Sequence, residues 1–263
     1  MFDALAIGAT GMQAQQLSVE TIANNLANMN TPAYKKGRVG FADLMVREAA
    51  RAGSAEDLRA GMLGAPQRLG AGVTVASIGK VFDPGEVKKT DSPLDLAIQG
   101  EGFLEVTLAD GSSAFVRGGT LKVNKDGLLA TAAGYPLKPA IAVPDTAEAL
   151  VIGRDGRVQV RMPNQANLVD LGQLDLVRFT GAGMLTSLGD NLYRANDASG
   201  DPIALRPSEQ GIGTLAQGFL ESSNVKMVDE MVNLMLAQRA YEASVKVVQA
   251  ADEMLGMVNN LRK

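Results

Sequence analysis

The sequence predicts an α+β protein: paired N- and C-terminal helices, coiled-coil-like, with an antiparallel β-rich domain inserted between them. Apolar residues at helical intervals occupy both ends of the 263-residue chain. Short apolar runs bounded by turn residues fill its middle. No helical pattern separates those runs, which argues against alternating β/α units. The expected organisation is a helical domain of residues 1–35 and 222–263, connecting regions 36–80 and 205–221, and a β-rich domain 81–204.

In the front helix, Leu5, Met12, Val19 and Leu26 stand seven apart, with Ile22 and Met29 three residues after the last two. That period keeps one seam facing a partner. Asn30-Thr31-Pro32 ends the helix, because proline lacks a donor and disfavours helical geometry in the residue before it. Between Ala4 and Tyr34 the only charged residue is Glu20; polar positions are filled by Gln13, Gln15, Gln16, Asn24, Asn25, Asn28 and Asn30. Carboxamides hydrogen-bond between packed surfaces without burying charge. This helix reads as one surrounded by other helices.

Lys35, Lys36 and Arg38 then flank the exit from it. Phe41, Leu44, Met45 and Glu48 fall at intervals that suit a short helix, Ala49 to Gly72 reads as an extended excursion, and Gly72 to Gly79 alternates as a strand does. Further strands are expected at 95–98, 103–108, 114–116, 121–123, 128–131, 149–152, 158–161 and 172–179. Asp110-Gly111, Asp126-Gly127 and Asp155-Gly156 each separate a pair of runs, a strong hairpin signal. Residues 181–207 read as loop, anchored by Tyr193.

The last helix is expected to be capped by Ser222-Ser223-Asn224, with Asp229 and Glu230 near its positive end. Its seam is read as Met227, Met231, Leu234, Tyr241, Val245, Val248 and Leu255, beside a second stripe of Ala240, Val247, Met254 and Leu261. Two stripes imply more than one neighbour, and a two-helix hairpin on a monomer would leave one bare. From Asn224 to Leu261 the rod would be about 55 Å long.

Composition excludes much chemistry. There is no cysteine and no histidine, which removes thiol and histidine catalysis and the commonest zinc ligand sets. A net charge of −4 and pI near 5.0 argue against a nucleic-acid partner. No run is apolar enough for membrane insertion, and the start is not a Sec-type signal peptide. No cofactor and no metal site is expected. Gly100-Glu-Gly102 and Gly211-Ile-Gly213 lack the third glycine of a dinucleotide loop. Asn124-Lys-Asp126-Gly127 lacks the first and last ligands of a calcium loop. Glu101 and Glu105 are the only carboxylate pair to offer for a glycosidase, and no aromatic platform stands beside them.

Ala23-Asn-Asn-Leu-Ala-Asn-Met-Asn-Thr-Pro-Ala-Tyr-Lys35 resembles the N-terminal signature of the flagellar rod and hook proteins. Glu221-Ser-Ser-Asn-Val225 and Met231-Val-Asn-Leu-Met-Leu-Ala-Gln-Arg-Ala-Tyr-Glu242 resemble their C-terminal one. Ser92 to Phe103 and Ala109 to Gly119 resemble the core of the longer members. Chain length, Gln210 to Gly218 and the Gln238-Arg-Ala-Tyr-Glu pattern are most similar to distal rod members, with proximal rod members the nearest competitors. Gly118-Gly119 and Ala49 to Arg68 depart from the pattern.

The resemblance implies a structural subunit, not an enzyme. It would be exported unfolded by the flagellar type III apparatus and would stack helically with copies of itself into a tubular drive shaft. That shaft would cross the periplasm to the outer membrane, meeting proximal rod proteins, the hook protein, and the peptidoglycan-ring and outer-membrane-ring proteins. The assembly interface is then expected where Leu5, Met12, Val19, Ile22, Asn25, Leu26 and Met29 meet Met227, Met231, Leu234, Tyr241, Val245, Val248 and Leu255, within and between subunits. A non-closing contact of this kind builds a filament. The rivals are a wall-acting carboxylate glycosidase and a host-binding surface protein.

Overall fold

The computed structural model describes residues 2–47, 68–163 and 167–261. It shows an N-terminal helix, a C-terminal helix and a central antiparallel β-rich region. Helix α1 runs Phe2–Ala27 and helix α2 runs Met227–Leu261. Between them lie β1 (Gly37–Arg47), β2 (Arg68–Lys80), β3 (Val87–Lys89), β4 (Asp95–Gln99), β5 (Leu104–Thr107), β6 (Ser113–Val116), β7 (Gly118–Val123), β8 (Leu129–Thr131) and β9 (Leu137–Lys138). They are followed by β10 (Ala149–Ile152), β11 (Arg157–Arg161), β12 (Leu168–Gln173), β13 (Leu176–Arg178), β14 (Thr186–Gly189), β15 (Leu192–Arg194), β16 (Ile203–Leu205), β17 (Thr214–Gln217) and β18 (Phe219–Glu221).

The chain forms two compact units. One comprises residues 1–24, 37–78 and 227–263; the other comprises 25–36 and 79–226.

In the larger unit a five-stranded sheet runs β14-β15-β6-β5-β9 and a four-stranded sheet runs β17-β4-β7-β8. A third sheet is β10-β11-β12, and β13-β16 and β18-β3 are ribbons. The described ladders are antiparallel. Their inward residues form one aliphatic core that includes Leu96, Leu104, Val106, Leu129, Val158, Val160, Leu174 and Leu215. A second core is aromatic. Phe82, Phe103, Phe115, Phe179 and Tyr193 meet edge to face, as at 4.8 Å between Phe115 and Phe179, so a chain poor in aromatics concentrates five of them in one place.

Each Asp-Gly pair makes the expected hairpin. In the first, Gly111 N donates to Leu108 O at 2.9 Å, Leu108 N donates to Ser112 O at 2.8 Å, and Gly111 sits at φ +81°. The same bonds recur at Asn124–Gly127–Leu128 and Gly153–Gly156–Arg157. This is the three-residue loop whose last position needs the left-handed region glycine reaches without strain.

Several expectations are corrected. Residues Phe41 to Leu44 lie in strand β1, not a short helix, because β2 pairs with that segment. Residues 48–67, most of the expected excursion, lie outside the described residues. Residues 172–179 divide into β12 and β13. The 181–207 loop carries β14, β15 and β16, although Tyr193 is buried there as expected. Helix α1 ends at Ala27, before Asn30-Thr31-Pro32, in turns that bond Asn28 N to Asn25 O and Met29 N to Leu26 O. Helix α2 starts at Met227, three residues after Asn224, whose side chain is engaged elsewhere.

Candidate functional site

Three ionisable side chains from distant parts of the sequence meet out of water in the larger unit. Lys35 Nζ donates to Glu221 Oε1 at 2.8 Å and to Asp83 O at 2.7 Å. Gly85 N donates to the same Glu221 oxygen at 2.8 Å. Arg117 reaches Glu221 Oε2 from Nε and Nη2, each at 3.3 Å, and gives its remaining protons to Gly102 O and Gly100 O at 2.6 and 2.8 Å. All three are at most 2% exposed. One carboxylate between two cations leaves a positive excess, which the three backbone carbonyls absorb. Burial pulls the Lys35 ammonium below the ordinary lysine value, against the opposing hydrogen bond and charge of Glu221.

Backbone bonds close around this clasp. Ala33 N donates to Glu221 O at 2.7 Å, and Lys80 Nζ donates to Lys35 O at 3.0 Å while lying over the Tyr34 ring. Asn224 accepts from Lys36 N at 2.8 Å and donates to Val81 O at 2.8 Å. Tyr34 Oη donates to the buried Asn25 carboxamide at 3.2 Å. The segment after α1 and the segment before α2 are thus pinned to each other. Sequence reasoning set Lys35 at the exit from the front helix and met Arg117 and Glu221 only inside family motifs, with no role assigned to either. Their adjacency depends on pairings nearly two hundred residues apart.

The other unit carries the helix faces. Gly8 and Gly11 of α1 lie against α2: a Cβ on Gly8 would stand 2.6 Å from Val248 Cγ2, and one on Gly11 would stand 3.3 Å from Ser244 Oγ. The inward line of α2 is Glu230, Ala237, Ser244 and Ala251, seven apart, interleaved with Leu234, Val248 and Leu255. Strand β2 also touches α1, with Val73 N donating to Thr10 Oγ1 at 3.3 Å.

Of the expected interface residues, Leu5, Met12, Val19, Leu26, Met29, Leu234, Val245, Val248 and Leu255 are half-buried, and Ile22 and Asn25 are buried. Met227, Met231 and Tyr241 are exposed on the subunit. Val19 and Tyr241 line one groove with Gln16, Glu20, Gln238 and Glu242. The small inward residues of α2 were missed because they carry no hydrophobic signal; their value is the close approach they permit.

Beyond the inward line, α2 leaves a broad apolar face open. Its first three turns expose Met227, Val228, Met231, Val232, Met235 and Leu236, with Val228 at 73% and Met231 at 53%. The carboxylate pair offers no comparable site. Glu105 accepts from Ser113 Oγ and Lys138 Nζ, and Glu101 lies in the bend before β5.

Three family models match the chain. They are a flagella basal body rod protein model over residues 5–35, a flagellar hook protein FlgE/F/G D1 domain over 97–160, and a flagellar basal body rod FlgEFG protein C-terminal model over 216–261. The chain is 40% identical over 261 residues to the flagellar basal-body rod protein FlgG of Buchnera aphidicola subsp. Schizaphis graminum, covering 99% of this chain and 100% of that one. It is 40% identical over 259 residues to the FlgG of Caulobacter vibrioides, covering 98% and 99%. The chain belongs to the FlgG-type flagellar basal-body rod protein family.

As a member of the rod family it is a structural subunit of the flagellar basal body and not an enzyme. Each matched region supplies one member of the clasp: Lys35 from the first, Arg117 from the second and Glu221 from the third. Lys35, the last residue of the first matched region, thus has a physical task in this chain. Its charge holds a carboxylate of the C-terminal matched region.

Proposed function

We propose that this chain is a subunit of the distal rod and polymerises helically into a tubular shaft that carries motor torque to the hook. The terminal helices pair in coiled-coil fashion and form the core of the tube, with the β-rich region outside. The observation that carries this reading is the open apolar face of α2, which no described residue of the subunit covers. Soluble subunits seldom retain a contiguous apolar face of that length unless a partner covers it. Copies of the same chain are the occupant that a rod-forming family supplies, and a repeated, non-closing contact yields a filament. Torque then divides over many parallel contacts, so no catalytic group is needed.

In this reading the ends of the tube meet proximal rod proteins and the hook protein. Its flanks meet the peptidoglycan and outer-membrane rings, and subunits arrive through the flagellar type III apparatus. Electron microscopy of the purified chain above its critical concentration tests the proposal. Straight tubes are expected; a persistently monomeric chain with both helices solvated would overturn it.

A further inference from the structure

Five of the chain's twelve methionines, Met227, Met231, Met235, Met254 and Met257, stand on α2, and every one is exposed in the free subunit. They share that surface with Val228, Val232 and Leu236, which fill the same space without an oxidisable atom. The polar side chains in the first three turns are Asp229, Asn233 and the inward-facing Glu230. The two carboxylates can only accept hydrogen bonds.

We infer that these thioethers are an oxidation-sensitive modification site that controls whether the free subunit can enter the polymer. The inference rests on the rod reading, in which this face becomes buried on assembly. With a peroxide as oxidant, a sulfur lone pair attacks the O–O bond. The S–O bond forms as the O–O bond breaks, sulfur gives up two electrons, and the second oxygen takes a proton and leaves as water. The product sulfoxide is a strong hydrogen-bond acceptor on a formerly apolar chain. Seating it in a packed seam strips its water; Asp229 has no proton to give in exchange, which leaves the Asn233 amide as the donor these turns offer to three thioethers. In the free subunit the sulfoxide stays hydrated and costs nothing, so folding is spared while assembly is blocked. Reductase repair restores the thioether, which makes the block reversible.

The test treats purified subunit with hydrogen peroxide, maps sulfoxides by peptide mass spectrometry, and measures the critical concentration for polymer growth by sedimentation. Repair with methionine sulfoxide reductases of both epimer specificities follows. Sulfoxide at the five positions should raise the critical concentration about tenfold or more, and repair should restore it. A chain carrying Met227→Leu, Met231→Leu, Met235→Leu, Met254→Leu and Met257→Leu, compared with its own untreated sample, should be indifferent to peroxide. Met184→Leu, on the other unit, should leave sensitivity intact. An untreated chain that never polymerises overturns the rod reading itself. Polymer growth at an unchanged critical concentration despite mapped sulfoxides, or sensitivity that persists in the five-leucine chain, overturns the oxidation inference alone. Should the five-leucine chain fail to fold, the repair arm decides: a loss that repair does not reverse counts against the inference.

Discussion

Lys35 Nζ and Glu221 Oε1 stand 2.8 Å apart, and neither side chain meets water. Lys138 and Glu105 are separated by the same 2.8 Å, yet that lysine side chain is 57% exposed. Equal distances therefore describe different energetics. Removing one partner of a buried pair strands a charge and costs about 3–5 kcal/mol, whereas a surface pair is worth about 0–1 kcal/mol. Glu221→Ala should accordingly destabilise the larger unit by about 3–5 kcal/mol, and Glu105→Ala by less than about 1 kcal/mol. Urea unfolding of the unassembled subunit measures both, and equal losses would contradict the clasp.

The clasp also has a pH signature. Burial lowers the Lys35 value from 10.5, so between the lowered value and 10.5 the unfolded chain binds more protons than the folded one. The contribution of Lys35 to stability therefore rises with pH through that window, and its full penalty stands below it. Tyr193 acts oppositely above 10, since burial pushes its phenol up and the folded chain keeps a proton that the unfolded chain has lost. As pH rises through the Lys35 window toward 10.5, wild type should gain stability relative to Lys35→Met. Denaturant midpoints that run parallel in the two proteins would contradict the assignment.

At Gly8 two effects compete. Alanine is a better helix former by about 1 kcal/mol, while overpacking costs about 1–3 kcal/mol. The atom in the way is a γ-methyl of β-branched Val248, whose χ1 is stiff in a helix, so overpacking prevails. Gly8→Leu should lower the thermal midpoint of helical circular dichroism more than Gly8→Ala. Adding Val248→Ala should recover some of the loss, and a Gly8→Leu chain more stable than wild type would contradict this contact.

Leu26→Asp should impair assembly far more than Asp110→Ala. The first puts a carboxylate on a half-buried helix position, while Asp110 is exposed in a hairpin loop. Sedimentation of both variants checks this, and polymer at wild-type yield from Leu26→Asp would count against the seam.

What the sequence revealed divides along the range of the interactions involved. Both helices and the three Asp-Gly hairpins were legible because their signals are local. A fourth loop with the same bonding, Thr131 to Tyr135, was not, since Ala132-Ala133-Gly134 carries no aspartate. Strands β15 to β18 were hidden because they join the sheets through distant partners: Tyr193 stands opposite Phe115, Leu205 opposite Leu176, and Ala216 opposite Ala97. The inward line of α2 was half legible. Leu234, Val248 and Leu255 declared themselves, while Ala237, Ser244 and Ala251 did not. Lys35, Arg117 and Glu221 read as three unrelated charges until the fold joined them.

The account stands on the open face of α2 being the surface that joins subunits, and Met231→Asp tests it most directly. Met231 is exposed, so the substitution should leave the subunit folded, with unchanged circular dichroism and thermal midpoint. In the polymer it buries an unpaired carboxylate, so the critical concentration measured by sedimentation should rise at least about a hundredfold. A Met231→Asp subunit that polymerises at the wild-type concentration would contradict the account.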